Sequence, residues 1–132
     1  MNHSDEHKVN PSLTDEQKAV LFDKATETPF SGTFLYNKDD GVYVCANCDE
    51  PLFTSNRKYD SACGWPSFDN AIDGAVIETA DTTHGMVRTE ITCANCGGHL
   101  GHAFEDGPIE TTGLRYCINS LSLGFDHAKP NS

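Results

Sequence analysis

The chain has 132 residues, 37% hydrophobic and 22% charged, with 20 acidic against 9 basic side chains and a formal net charge of −11. That length supports one core-forming domain, and the composition is globular, not disordered. The acidic balance argues against surfaces that track nucleic-acid phosphates or anionic membranes, and no apolar run approaches the roughly 20 residues needed to cross a bilayer.

Residues 1–12 are polar, end in Asn10-Pro11-Ser12 and read as a mobile arm. They lack the basic and apolar regions of a secretory signal, so the expected location is the cytoplasm. Thr14 with Gln17 fits a capping box, and Asp15 and Glu16 suit the positive end of a helix. Leu13, Gln17, Val20, Leu21 and Lys24 share one face, which predicts a helix of about three turns ending near Thr26, ahead of Pro29. After Pro29 the pattern changes to short runs of β-branched and aromatic residues at 33–36, 42–45, 75–78, 86–92, 115–119 and 121–125. Gly, Asp and Asn cluster between them. The expectation is a mainly β, mostly antiparallel domain behind one or more short N-terminal helices. Residues 126–132 are polar, contain Pro130 and are expected to fray.

Six cysteines in such a chain point to metal binding or thiol chemistry before a disulfide framework. Cys45-Ala46-Asn47-Cys48 and Cys93-Ala94-Asn95-Cys96 each follow a predicted strand. Two such pairs complete a closed tetrahedral set of four thiolates, which favours one Zn²⁺, with iron as the alternative. The plainer readings are two disulfides or four free thiols. The two pairs are separated by 44 residues, more than in a compact zinc ribbon, so the metal joins distant parts of one domain. Four thiolates leave no position for substrate, so its expected role is structural.

Cys63 and Cys117 remain, and either can be a small buried hydrophobe. Cys63 lies in Ser61-Ala62-Cys63-Gly64-Trp65-Pro66-Ser67-Phe68, a loop able to bring a thiol to a partner. Trp65 is the single tryptophan, a core residue or a ring displayed beside a pocket. In an extended strand Arg115, Cys117 and Asn119 share a face opposite Leu114, Tyr116 and Ile118. A cysteine beside an arginine on a polar face is a candidate nucleophile with a lowered thiol pKa. His99 and His102 follow the second knuckle as further metal ligands or, with four thiolates already present, as proton-transfer groups. His3, His7, His84 and His127 have no such context and are expected in solvent.

These motifs together, with Gly41-Val42-Tyr43-Val44-Cys45, Pro51-Leu52-Phe53, Asp106-Gly107-Pro108 and Gly113-Leu114-Arg115-Tyr116-Cys117-Ile118-Asn119-Ser120, closely resemble the peptide-methionine (R)-S-oxide reductases, the B-type methionine sulfoxide reductases, in their zinc-containing form. The resemblance covers residues 13–125, which then form the catalytic domain. It implies two antiparallel sheets, reduction of methionine (R)-sulfoxide in oxidised proteins, and thioredoxin as the reductant. It implies Cys117 as nucleophile, Cys63 as resolving thiol, Trp65 against the substrate methyl group, and His99, His102 and Asn119 as polar site residues. No nucleic-acid or membrane partner is expected, and the chain is expected to be a monomer. A non-catalytic zinc-stapled binding module is the rival reading; it leaves Cys63, Cys117 and the histidine pair idle.

Overall fold

The computed structural model describes residues 10–59, 63–81, 88–107 and 109–127, without the side chains of Asp81 and His127. The expectations for the arm at 1–9, for the tail at 128–132 and for His3, His7 and His84 fall outside the described residues, as does the side chain of His127. One α-helix occurs among the described residues, α1 (Asp15–Asp23), where the sequence pattern allowed several. The predicted capping box forms: Gln17 N–H donates to Thr14 Oγ1 at 3.1 Å, and Thr14 N–H donates to the Gln17 side chain at 2.9 Å. The helix stops short of Thr26 because Lys24 turns left-handed at φ 60° and closes the last turn. Its buried Val20 and Leu21 pack the helix onto the rest of the domain.

Nine strands follow among the described residues: β1 (Gly41–Cys45), β2 (Pro51–Thr54), β3 (Lys58–Tyr59), β4 (Ser67–Phe68), β5 (Val76–Asp81), β6 (Arg88–Cys93), β7 (His99–Phe104), β8 (Arg115–Ile118) and β9 (Leu123–His127). They form two antiparallel sheets, in the orders β2-β1-β9 and β3-β4-β8-β7-β6-β5. The sheets meet through aromatic side chains. Phe68 of β4 stacks on Phe53 of β2 at 4.3 Å and meets Tyr43 of β1 edge-on at 5.2 Å, while Tyr116 of β8 lies 5.9 Å from Phe53. Each such pair adds about 0.5–1.5 kcal/mol beyond simple burial.

Three strand expectations change. Residues 33–36 form turns: Phe34 packs its ring on Tyr43 and Phe125, and its backbone N–H goes to Ser120 Oγ instead of a neighbouring strand. Ser120–Ser122 is a 3₁₀ turn, and the strand expected there begins at Leu123. Asp126 and His127, expected to fray, are held in β9 by pairing with Val42 and Gly41.

The six-stranded sheet sets up a polar face. Ser67, Cys117, His102 and Glu90 are successive partners across β4, β8, β7 and β6, so they share one side of the sheet. Phe104 and Arg115 form the next row. A bulge in β7 pairs Ile91 with Gly101 but Thr92 with His99, so Leu100 is the extra residue. The bulge restores His99, three residues from His102, to the same face. Gly101 is required here, since a Cβ would sit 2.1 Å from the carbonyl oxygen of Cys117.

Candidate active site and metal centre

The two Cys-x-x-Cys turns have the same backbone. Cys45 N–H bonds to Glu50 O and Asp49 N–H to Cys45 O; in the second turn Cys93 N–H bonds to Gly98 O and Gly97 N–H to Cys93 O. Both need a left-handed residue four places after the first cysteine, supplied by Gly97 at φ 79° and by Asp49 at φ 64°. The turns face each other from the two sheets, and their four sulfur atoms lie within 4.8 Å of one another. The Cys45–Cys96 and Cys48–Cys93 separations are 3.7 and 3.6 Å. A tetrahedral ion with bonds of about 2.3 Å spaces its thiolates by about 3.8 Å, so the donor set fits one metal. Thiols this close perturb each other. Contacts with Cys93 and Cys96 push Cys45 up, and the hydrogen bond with Cys45 holds Cys96 down. A dication relieves that conflict by accepting all four thiolates. His99 is turned away from this cluster to Glu90, so the extra-ligand reading of the histidines has no support here.

The second cysteine pair lies on the polar face. Cys117 Sγ and Cys63 Sγ are 3.0 Å apart, about 1 Å beyond disulfide bonding distance, and both are thiols. Arg115 Nη1 donates to Cys117 Sγ at 2.8 Å. The guanidinium is aimed by a fork to Asp106 at 2.8 and 3.0 Å and lies 4.5 Å over the Phe104 ring. Cys63 Sγ also meets Ser67 Oγ at 3.2 Å and the carbonyl of Trp65 at 3.5 Å. The expected lowering of the Cys117 pKa does not occur while Cys63 is adjacent. The neighbouring thiol pushes it up most, burial adds to this, and Arg115 and Ser67 oppose them without prevailing.

A cavity of about 260 Å³ opens above Cys117, lined among others by Trp65, His102, Phe104, Arg115 and Asn119. Trp65 is fixed there because its Nε1–H donates to Glu27 O at 3.1 Å. His102 faces Cys117 by strand register. Asn119 reaches the wall, but its Oδ1 accepts from Glu27 N–H and its Nδ2 donates to Leu100 O. That amide therefore fixes the backbone around the pocket. His99 is buried, does not line the cavity, and meets His102 edge-on at 5.4 Å.

Several residues escaped the sequence reading. Thr26 and Arg88 complete the cavity wall. Glu27 ties Trp65, Asn119 and Leu121 N–H together. Glu90 holds His99. Glu90 shares its strand with charged Arg88 and two threonines, so nothing local marked it or the others.

Residues 13–127 match the family model described as the SelR domain. The peptide methionine sulfoxide reductase MsrB of Agrobacterium fabrum is 58% identical, over 90% of this chain and 93% of its own length. That of Leptospira interrogans is 54% identical over 95% of each chain, and that of Pseudomonas putida 59% identical over 86% and 85%. Among solved structures, the Mis18 'Yippee-like' domain aligns with a TM-score of 0.54 at 18% identity, over 68% of this chain and 98% of that one. At that identity the likeness concerns the fold alone.

Proposed function

Because the chain belongs to the SelR-domain family, we propose that its reduction of methionine (R)-sulfoxide runs through Cys117 as nucleophile and Cys63 as resolving thiol. The observation that carries this reading is the 3.0 Å approach of Cys63 to Cys117, which lines a cavity that also presents Arg115 and His102. The chain is an oxidoreductase of the B type. Its substrate is oxidised methionine in proteins, and the pocket suits a small methyl–sulfur head: Trp65 and Phe104 offer apolar ring surface beside the thiol.

Sulfoxide sulfur is a weak electrophile until its oxygen receives a proton or a hydrogen bond. Cys117 attacks as thiolate, with Arg115 stabilising the charge. His102, in register opposite, donates the proton to the sulfoxide oxygen. The substrate S–O bond breaks, the substrate sulfur gains two electrons, and the oxygen remains on Cys117 as a sulfenic acid. Cys63 then attacks that sulfur, expels water and forms the Cys63–Cys117 disulfide. An external dithiol, thioredoxin in our reading, restores both thiols by exchange. The four-cysteine centre holds one Zn²⁺ in this proposal and takes no part in these steps; the ion supplies structural cross-linking between the sheets.

Cys63→Ser separates the two roles. The variant is expected to convert about one methionine sulfoxide per enzyme and then stall with thioredoxin, as read by product quantification. Cys63 is also the main influence raising the Cys117 thiol. Its loss should move the Cys117 limb of the single-turnover pH profile to lower pH, because thiolate then forms earlier. Sustained turnover with thioredoxin, or an unmoved limb, contradicts the assignment.

A further inference from the structure

A polar chain runs behind the reaction pocket from solvent to the ring opposite the nucleophile. Lys24 Nζ, on a side chain 67% exposed, donates to Glu90 Oε1 at 3.2 Å. Glu90 Oε2 meets His99 Nδ1 at 3.0 Å. The His99 ring stands edge-on to His102 at 5.4 Å, and His102 pairs with Cys117 across β7 and β8. Glu90 and His99 are buried, so neither is an incidental surface contact. The bulge at Leu100 places His99 on this face at all.

We propose that Glu90 is a positioning residue for the proton donor of the reduction, fixing His99 so that the His99–His102 pair keeps one transferable proton beside Cys117. The proposal deepens the reductase reading above and rests on it.

A carboxylate can only accept hydrogen bonds. Burial works to raise the Glu90 carboxyl, but the hydrogen bonds from His99 and Lys24 outweigh it and hold it below the usual range. Glu90 is therefore ionised at neutral pH, and the facing His99 Nδ1 must carry a proton. Neutral His99 then keeps Nε2 as its acceptor, a tautomer set by the adjoining carboxylate. Burial pushes the His99 imidazole down; Glu90 opposes this, and positive charge on His102 or Lys24 adds to it. Two imidazoliums in contact repel, so the pair does not carry both positive charges at once. The other groups facing it are Arg88 from β6 and Cys117 and Arg115 from β8. When His102 gives its proton to the sulfoxide oxygen, it becomes neutral, and it regains a proton from solvent through the cavity that it lines. Glu90 and Lys24 exchange no electrons in this cycle; they set where the proton resides.

The test compares Glu90→Gln and Lys24→Gln in single-turnover reduction across pH, using the full chain with its metal and a peptide methionine (R)-sulfoxide. Glu90→Gln keeps the shape and removes the charge that favours imidazolium. It should lose about tenfold in rate, a part of the 10²–10⁴ that general acids supply. Its histidine limb should move to lower pH, with apparent substrate affinity unchanged. Lys24→Gln changes an exposed side chain, and its histidine limb should move the opposite way, to higher pH. Unshifted profiles in both variants, or a loss in Glu90→Gln that is equal at every pH with no movement in Lys24→Gln, overturn the positioning role alone. No reduction by the unaltered protein overturns the reductase reading and this proposal together.

Discussion

Replacing Cys117 with serine is expected to abolish reduction of methionine (R)-sulfoxide even in a single turnover. The substitution is nearly isosteric, and the new hydroxyl keeps the Arg115 donor and the Cys63 neighbour in reach. What is lost is chemical. An alcohol stays protonated where a thiol ionises, and oxygen has no counterpart to the sulfenic acid that must store the transferred atom. Removing the nucleophile from a catalytic unit costs on the order of 10⁶-fold, so product should fall to background. Peptide methionine quantified after mixing with excess enzyme is the readout, and a denaturation curve guards against misfolding. Cys63 cannot substitute for the lost group, because in this geometry it turns to Ser67 and the Trp65 carbonyl below the cavity. Methionine formed at a rate near that of the unaltered protein contradicts the assignment of the nucleophile.

The second large effect concerns the cysteine centre. Cys45→Ser or Cys93→Ser should lose zinc and the native fold together. The four sulfurs come from the β1–β2 turn and the β6–β7 turn, so an ion held by them would clip one sheet to the other. Structural zinc sites bind with an apparent free energy of about 10–16 kcal/mol, comparable with the whole net stability of a domain, about 5–15 kcal/mol. Removing one ligand leaves three crowded thiols in an apolar setting and no closed tetrahedron. Zinc content by elemental analysis and thermal melting on the same sample test this. A metal-free variant that melts and reacts as the unaltered protein does removes the structural role.

Local chemistry made part of this molecule legible in its sequence. Thr14 and Gln17 announced a capping box, and the matching knuckles announced four ligands around one centre. The alternation across residues 114–119 put Cys117 and Arg115 on one face, as β8 does. Pairing and long-range proximity were not legible. Strands β3 and β4 have two residues each and carry no periodicity, and β7 begins His99-Leu100-Gly101-His102 without a β-branched residue. The bulge at Leu100 is what brings His99 and His102 to the same face, and no local pattern marks it. The Cys117 environment is the clearest case. Arg115, two residues away, pointed to a lowered thiol pKa, but Cys63, 54 residues distant in the chain, reverses the balance. Glu27, Lys24 and Glu90 enter the site in the same way, from elements that only the fold brings near.

Every step proposed here depends on stereospecific, thiol-dependent reduction at the Cys117 pocket. The decisive experiment gives the purified zinc-loaded protein the separated R and S epimers of a methionine sulfoxide peptide, with a dithiol reductant, and measures the methionine formed. Turnover of the R epimer is expected, with none above background for the S epimer. Equal reduction of both epimers, or no product from the R epimer, is incompatible with this chemistry.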